Sequence, residues 1–457
     1  MTDGTAGGGN SGEGRIGTRE AAARLGVKPE TLYAYVSRGL LGSRRAAGGR
    51  GSTFDPAEVA ALAARGRAGT AGGAEGGGSE GGWGRIRTGI TLIDPAADRY
   101  AFRGVDAVAL AESYAYEEVA HWLWTGELRR GIRFSAPPQP LAAARAAAGA
   151  LPAGSGPMDR MRVAVIAAGG ADPLRFDLTE DAVLGSARGL IPTLVDALPP
   201  AGGADGAAAR DARDAQAARE AAGTGRDAAD AAGTGGSGPI AGRLWSRLTP
   251  RDPDPASLRV LDTALTLLID HDLAVSTLAV RLAASGRAHP YAAVSAGLGA
   301  LDGPLHGQAS ALAHRMLRDV LDQGGAGPVV AAHLRSGQRV PGLGHRLYRG
   351  EDPRARLLLS RLAEVPAAAD ALAAAHDTVR TAARHTPLHA NVDLALAVLS
   401  VASGMPAEAG EAIFAVGRTA GWVAHALEEY GEPALRMRPT GVYDGPPAPQ
   451  PLPLPRS

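Results

Sequence analysis

The 457-residue chain contains no cysteine, which excludes a disulfide framework, a thiolate metal site and a cysteine nucleophile. It is almost without lysine: Lys28 stands alone in a sequence dominated by alanine, glycine, arginine and proline. Such a bias is expected of a GC-rich genome, so arginine in place of lysine carries little functional information here. Aromatic residues make up 4% of the chain and strand-forming runs are scarce, which favours a mainly α protein. The 47 basic and 47 acidic side chains cancel, and bulk charge therefore points to neither nucleic acid nor a membrane surface. No uninterrupted apolar run is long enough to span a bilayer. Residues 1–10 are polar and glycine-rich and lack the basic and apolar parts of a signal peptide. A cytoplasmic protein with two or three domains is the expectation.

What is present separates into five stretches. Residues 1–14 are a Gly/Ser tail, and 15–65 form a segment with helical spacing. Residues 66–84 read as a flexible Gly/Ala/Ser linker. The main body runs from 85 to 445, and the proline-rich end, 446–457, should be disordered. Inside the body, 199–239 is almost entirely Ala, Gly, Asp and Arg, without large apolar side chains to dock. It reads as a low-complexity surface insertion with no catalytic part. The rest of the body is helix after helix, with Leu258, Leu261, Leu265 and Leu268 on one face. The one strand expected is at 90–93, before the Asp94-Pro95 turn.

Four polar sites interrupt the apolar helices. Gly303-Pro304-Leu305-His306-Gly307 precedes a helix. A histidine at a helix start is held neutral by the dipole and can hydrogen-bond a carbonyl as an enol forms, or it can simply be a structural residue of a capped turn. In Pro341-Gly342-Leu343-Gly344-His345-Arg346-Leu347-Tyr348, two glycines permit unusual backbone angles and the close approach of a ligand, though an ordinary loop has the same look. Asp352-Pro353-Arg354 begins a helix close by. Asn391-Val392-Asp393 heads an apolar run, where Asp393 is either a partly desolvated base or an N-terminal cap. Residues 412–427 form a helix apolar on every side, with Arg418 in its middle. A buried guanidinium there needs an anionic partner, from the protein or from a ligand. Arg281, in another apolar helix, raises the same question.

These elements, in this order, resemble the citrate synthase family over residues 89–445. The shared motifs are G-P-L-H-G (303–307), G-x-G-H-R-x-Y (342–348), D-P-R-A (352–355), N-V-D (391–393) and F-A-x-x-R-T-x-G-W-x-A-H (414–425). The resemblance implies a mainly α, almost all-helical citrate-synthase fold, with a large domain (85–307 with 402–445) and a small domain (308–401) around a cleft, in a homodimer. It also implies condensation of acetyl-CoA with oxaloacetate and hydrolysis of citryl-CoA, without a metal or other cofactor. Asp393 would take the proton from the acyl-CoA, His306 would hydrogen-bond the thioester oxygen and His345 would protonate the oxaloacetate carbonyl. His271, Arg354, Arg418 and, from a second subunit, Arg438 would hold the substrate carboxylates. Around these positions the chain departs from the family: Leu268 replaces a second histidine, Ala274 an asparagine and Thr440 an arginine, and Gln308-Ala309-Ser310-Ala311 stands where Gly-Ala-Asn-Glu is usual. Such supporting positions bear on rate and acyl preference more than on reaction type.

Residues 15–65 resemble the MerR/excisionase type of helix-turn-helix. The first helix and turn lie at 18–27, and a recognition helix is expected at 29–37 with Leu32 and Val36 inward. Residues 1–70 are net basic, yet Glu30 and Ala34 at exposed recognition positions are poor DNA contacts. DNA is thus a weakly supported partner, and a protein-contacting or vestigial module is the alternative. Two other functions fit the same residues. One is 2-methylcitrate synthesis from propionyl-CoA, since one methylene changes binding by only ~1–3 kcal/mol. The other is a transcription regulator that uses the synthase body as a metabolite sensor.

Overall fold

The computed structural model describes residues 16–25, 32, 36, 41–45, 52–60, 86–203, 238–303, 306–348, 350–437, 442 and 444–446. The chain divides into two compact units, Met1–Gly82 and Trp83–Ser457.

In the first unit, β1 (Ile16–Gly17) leads into α1 (Thr18–Leu25), and β2 (Ser43–Arg45) and β3 (Ser52–Phe54) complete an antiparallel sheet in the order β1-β3-β2. The strands were not expected. They are two or three residues long, too short for an alternating pattern to register. Ala21, Ala22, Leu32, Leu41, Phe54 and Val59 form the core, with Leu25 and Val36 packed against it. Leu32 and Val36 thus point inward as expected. Glu30 and Ala34 lie outside the described residues.

The second unit opens on a meander of β4 (Thr91–Asp94), β5 (Arg99–Phe102) and β6 (Val105–Asp106). Only the first of these strands was expected. β5 pairs with it from Thr91↔Phe102 to Asp94↔Arg99 and turns Tyr100 and Phe102 into the core. Helices follow: α2 (Ala107–Ser113), α3 (Tyr116–Thr125), α4 (Pro138–Gly149), α5 (Pro157–Ala171), α6 (Glu180–Asp196), α7 (Ile240–Leu248), α8 (Pro255–Leu267), α9 (Val275–Ser285), α10 (Pro290–Leu301), α11 (Ala309–Asp322), α12 (Ala326–Arg335), α13 (Pro353–Leu362), α14 (Ala369–Ala383), α15 (Val392–Ala402) and α16 (Ala409–Tyr430). Several start on a side-chain cap followed directly by proline: Asp254 before α8, His289 before α10 and Asp352 before α13. Each cap satisfies a backbone N–H that the first turn leaves open, and proline suits a position where no N–H is needed. None of the described helices is long and apolar enough to cross a membrane.

α16 is the axis of this unit, buried on nearly every side. The end of α8 crosses it so closely that a Cβ at Gly421 would lie 2.0 Å from the Ile269 carbonyl oxygen. Only glycine permits that approach, and the approach brings the 268–271 turn onto the helix that carries Arg418. The question raised by Arg281 is answered inside the fold: its guanidinium pairs with Glu428 at 2.6 Å and Glu429 at 3.2 Å and meets His425 at 2.9 Å.

Residues 204–237 of the low-complexity insertion lie outside the described residues, but its flanks belong to the fold. Ala201 N–H donates to the Ser246 carbonyl at 3.0 Å, and Pro239 accepts from the Arg243 N–H at 3.1 Å. Replacing 204–237 by a short Gly/Ser loop is therefore expected to leave the melting temperature and turnover nearly unchanged. Its composition offers no large apolar side chains to offset ordering entropy. Calorimetry and a steady-state assay check this, and a collapse of either quantity refutes it.

Candidate active site

The turns ahead of α13 and α15 are joined through Asp352, and His306, ahead of α11, faces Phe414 of α16 with ring centroids 6.0 Å apart. One carboxylate organises two of the motifs. Asp352 caps α13 through the Arg354 N–H at 3.0 Å and grips the Arg354 guanidinium at 3.0 and 2.9 Å. It also accepts the Val392 N–H at 3.0 Å, which ties D-P-R to N-V-D. Burial alone would favour the acid form, but Arg354 holds Asp352 below the usual carboxylate range. Burial likewise works against the Arg354 cation, and Asp352 outweighs it.

The G-x-G-H loop is zipped onto the same segment. Asn391 N–H donates to the Gly342 carbonyl and its side-chain amide to that of Gly344, both at 2.9 Å, while Gly344 N–H donates to His389 at 2.8 Å. Gly342 sits at φ +78°, and a Cβ there would lie 2.8 Å from the Leu394 Cβ, so the close apposition of loop and helix requires glycine. The loop presents His345 to Arg354, with Nε2 3.2 Å from the guanidinium and Nδ1 accepting the Leu347 N–H at 3.1 Å. A neutral imidazole carries one proton. The guanidinium, like the Leu347 N–H, only donates, so the two contacts compete for the ring's one lone-pair nitrogen. Burial, reinforced by Arg354, pushes the His345 pKa down to about 4.

His271 packs edge-on against His345, with ring centroids 5.2 Å apart, and meets the Tyr348 hydroxyl at 2.7 Å through Nε2. Burial first, then Arg354, His345 and Arg418, holds it well below the ordinary histidine range. His306 is half-buried and bonds Ser276 Oγ through Nε2 at 2.9 Å. Burial and Arg418 depress its pKa, so it too is neutral at pH 7.

Asp393 accepts a 2.6 Å hydrogen bond from Ser310 Oγ. Burial raises its pKa above the usual aspartate value, opposed by the Ser310 bond and by the positive charge of Arg354. The cap of α15 is Asn391, whose Oδ1 accepts the Asp393 N–H at 3.0 Å. Asp393 is therefore not the N-terminal cap.

Arg418 is 1% exposed. Its Nε donates to the Leu268 carbonyl at 2.8 Å and its guanidinium lies 4.6 Å from the Phe414 ring centroid. No carboxylate among the described residues forms an ion pair with it. Burial lowers its pKa to about 10, with Asp270 opposing and Arg354 reinforcing. Arg354 and Arg418 thus add positive potential at His271, and each also acts on one of the other two histidines. Beside His345 opens a cavity of about 670 Å³ lined by Leu334, Arg339, Val340, Arg346 and Leu388 among others. Arg438 lies outside the described residues. Asp352 as organiser, Ser310 and the Tyr348–His271 bond were not foreseen. In the sequence Tyr348 stands out only as a motif member, Ser310 only as a departure from the family pattern, and Asp352, beside Pro353-Arg354, only as a cap.

Residues 81–440 match the family model described as "Citrate synthase, C-terminal domain", and the chain belongs to the citrate synthase family. Residues 18–64 match "MerR HTH family regulatory protein". Among similar proteins, "Putative citrate synthase 2" of Mycobacterium tuberculosis (strain ATCC 25618 / H37Rv) is 37% identical over 200 residues, 43% of this chain and 53% of that one. The citrate synthase of Synechocystis sp. is 34% identical over 205 residues, 43% and 51% of the two chains. The chain spans about half the length of the curated relatives it matches. Among solved structures, citrate synthase from Thermoplasma acidophilum, in ternary complex with carboxymethyl coenzyme A and oxalateacetate, superposes with a TM-score of 0.63 at 22% identity over 80% of this chain and 96% of that one. The Pyrobaculum aerophilum citrate synthase gives 0.62 at 25% identity, over 81% and 92%. The mainly helical fold is that of the family.

Proposed function

We propose that this protein is a citrate synthase, which condenses acetyl-CoA with oxaloacetate and hydrolyses the resulting citryl-CoA to citrate and CoA. The observation that carries this is the pair of buried guanidiniums, Arg354 and Arg418, around three neutral histidines, with a carboxylate paired, among the described residues, to only one of them. A buried cation without a counter-charge costs several kcal/mol, and a small dicarboxylate supplies what is missing. Arg354, Arg418 and His271, joined by Arg438 of a second copy in a homodimer, are the binding groups in this scheme.

Asp393 takes a proton from the acyl methyl group. The C–H electrons form the enol double bond, and His306 hydrogen-bonds the oxygen on which charge develops. The enol carbon attacks the oxaloacetate ketone, whose oxygen receives a proton from His345. With a pKa near 4, His345 acts from the neutral imidazole, and the carboxylates of the arriving substrate draw Arg354 away from it. Water then adds to the thioester and CoA leaves. The cleft with Arg339 and Arg346 at its wall suits a phosphate-bearing, partly apolar carrier. Exposed apolar side chains at Ile166, Leu174 and Phe176 favour the homodimer. A sensor would need the arginines but not a desolvated base, so Asp393 favours the enzyme.

A steady-state assay of CoA release with oxaloacetate and either acetyl-CoA or propionyl-CoA tests this. Turnover is expected with a higher kcat/KM for acetyl-CoA. The opposite preference makes it a 2-methylcitrate synthase, and no turnover with either thioester overturns the enzymatic reading.

A further inference from the structure

Resting on the assignment of Asp393 as the base, we propose that Ser310 is its positioning residue: the hydroxyl holds the carboxylate by Oδ1 and leaves Oδ2 as the oxygen that takes the proton. Three features carry this. The first is the 2.6 Å contact, in which Ser310 Oγ donates to Asp393 Oδ1, while no hydrogen-bond donor among the described residues reaches Oδ2. Oδ2 is also not among the sealed, unpartnered polar atoms of the described residues, so it keeps some solvent contact.

The second is the rigidity of both partners. Ser310 and Asp393 are each the second residue of a helix, α11 and α15, and these helices pack along one another. A second polar tie one turn further along α11, His314 Nδ1 to Ser400 Oγ at 2.9 Å, fixes their register. Ser310 itself is 2% exposed, and a Cβ at Gly410 of α16 would lie 2.5 Å from its Cβ, so it has no room to swing away. The Asp393 backbone is pinned from the other side by Asn391.

The third is that the hydroxyl works against the environment. Burial favours the protonated, useless form of the base, and the Ser310 bond is the first of the influences that keep it ionised; Arg354 acts from further off. A hydrogen bond to the charged form favours that form. Ser310 thus fixes which oxygen reacts and keeps the carboxylate available at neutral pH. The position is one where the chain departs from the family's usual asparagine.

The test uses the full-length protein with Ser310→Ala and Ser310→Cys, the second retaining a weak S–H donor. In Ser310→Ala, kcat with acetyl-CoA and oxaloacetate is expected to fall about ten- to hundredfold with little change in the KM for oxaloacetate. The acid limb of the kcat/KM profile moves to higher pH, and Ser310→Cys lies between Ala and wild type on both measures. A residue that merely packs would lower kcat at every pH and leave the limb where it is, and that outcome overturns the proposal. A second readout needs no turnover. In infrared difference spectra of each protein against its Asp393→Asn counterpart, the protonated-carboxyl band should persist to higher pH without the serine hydroxyl. An inactive wild type whose band still shifts between Ser and Ala refutes the proposed reaction and leaves the Ser310–Asp393 coupling standing. An unshifted band refutes the coupling itself.

Discussion

Replacing Asp393 by asparagine abolishes turnover while oxaloacetate still binds. The amide keeps the size of the carboxylate and can still accept the Ser310 hydrogen bond through its oxygen, so the α11–α15 contact survives. What it cannot do is take up a proton. General-base catalysis typically contributes ~10²–10⁴-fold, and a loss in that range is expected in kcat. Oxaloacetate affinity, read from the ligand-dependent rise in melting temperature, should stay near the wild-type value, because Arg354, Arg418 and His271 are untouched. A variant retaining more than about a tenth of kcat, a barrier change under ~1.4 kcal/mol, would remove Asp393 from the role of base. In the wild type, activity should fall as pH drops through the Asp393 pKa. That point lies above the ordinary aspartate value because burial disfavours the charged form. The acid limb is thus expected to report the Asp393 carboxylate, while burial favours the neutral forms of His306 and His345.

Much of this geometry was legible in the sequence because it lies in contiguous motifs at helix starts. Asp352-Pro353 announces α13, and Asn391-Val392-Asp393 announces α15. Arg418 was legible for a different reason. A charge inside an otherwise apolar helix violates the pattern that buries the helix, and such violations mark sites. Arg281 violates the same pattern, yet its partners Glu428 and Glu429 come from a helix nearly 150 residues further along the chain. No local pattern separates a cation paired at that distance from one left open for a ligand. Ser310 escaped for a related reason. Its role exists only because α11 and α15 lie side by side, a tertiary fact that places residues 83 apart within 2.6 Å. The second and third strands of the meander were missed because neither Arg99–Phe102 nor Val105–Asp106 carries a β-branched apolar run like that at 90–93, and their pairing is formed across the turns at 95–98 and 103–104.

Arg418 separates binding from folding most sharply, because its two contributions have opposite signs. Changing it to methionine replaces a buried guanidinium with a flexible apolar chain of adaptable shape. In the unliganded protein the loss is small: one hydrogen bond to the Leu268 carbonyl and the stacking on Phe414. The gain is relief from a desolvated charge that no described carboxylate pairs, a charge burdened enough that burial brings its pKa down to about 10. Replacing buried ionic groups by apolar residues of similar volume is often neutral or stabilising, by about 1–4 kcal/mol. The melting temperature without ligand is therefore expected to hold or rise. With oxaloacetate the outcome reverses. The substrate carboxylate meets no cation at this position, and truncating one partner of a buried charge pair costs about 2–5 kcal/mol. The ligand-dependent rise in melting temperature should vanish at concentrations that saturate the wild type, and the oxaloacetate KM should climb by about two orders of magnitude or more. Calorimetry with and without oxaloacetate reads both halves in one experiment. If Arg418→Met instead melts well below the wild type and still responds to oxaloacetate, the arginine is a structural residue and its counter-charge must come from the protein. If stability holds while the response disappears, the fold carries this charge at a cost to its own stability for the sake of the anion it binds.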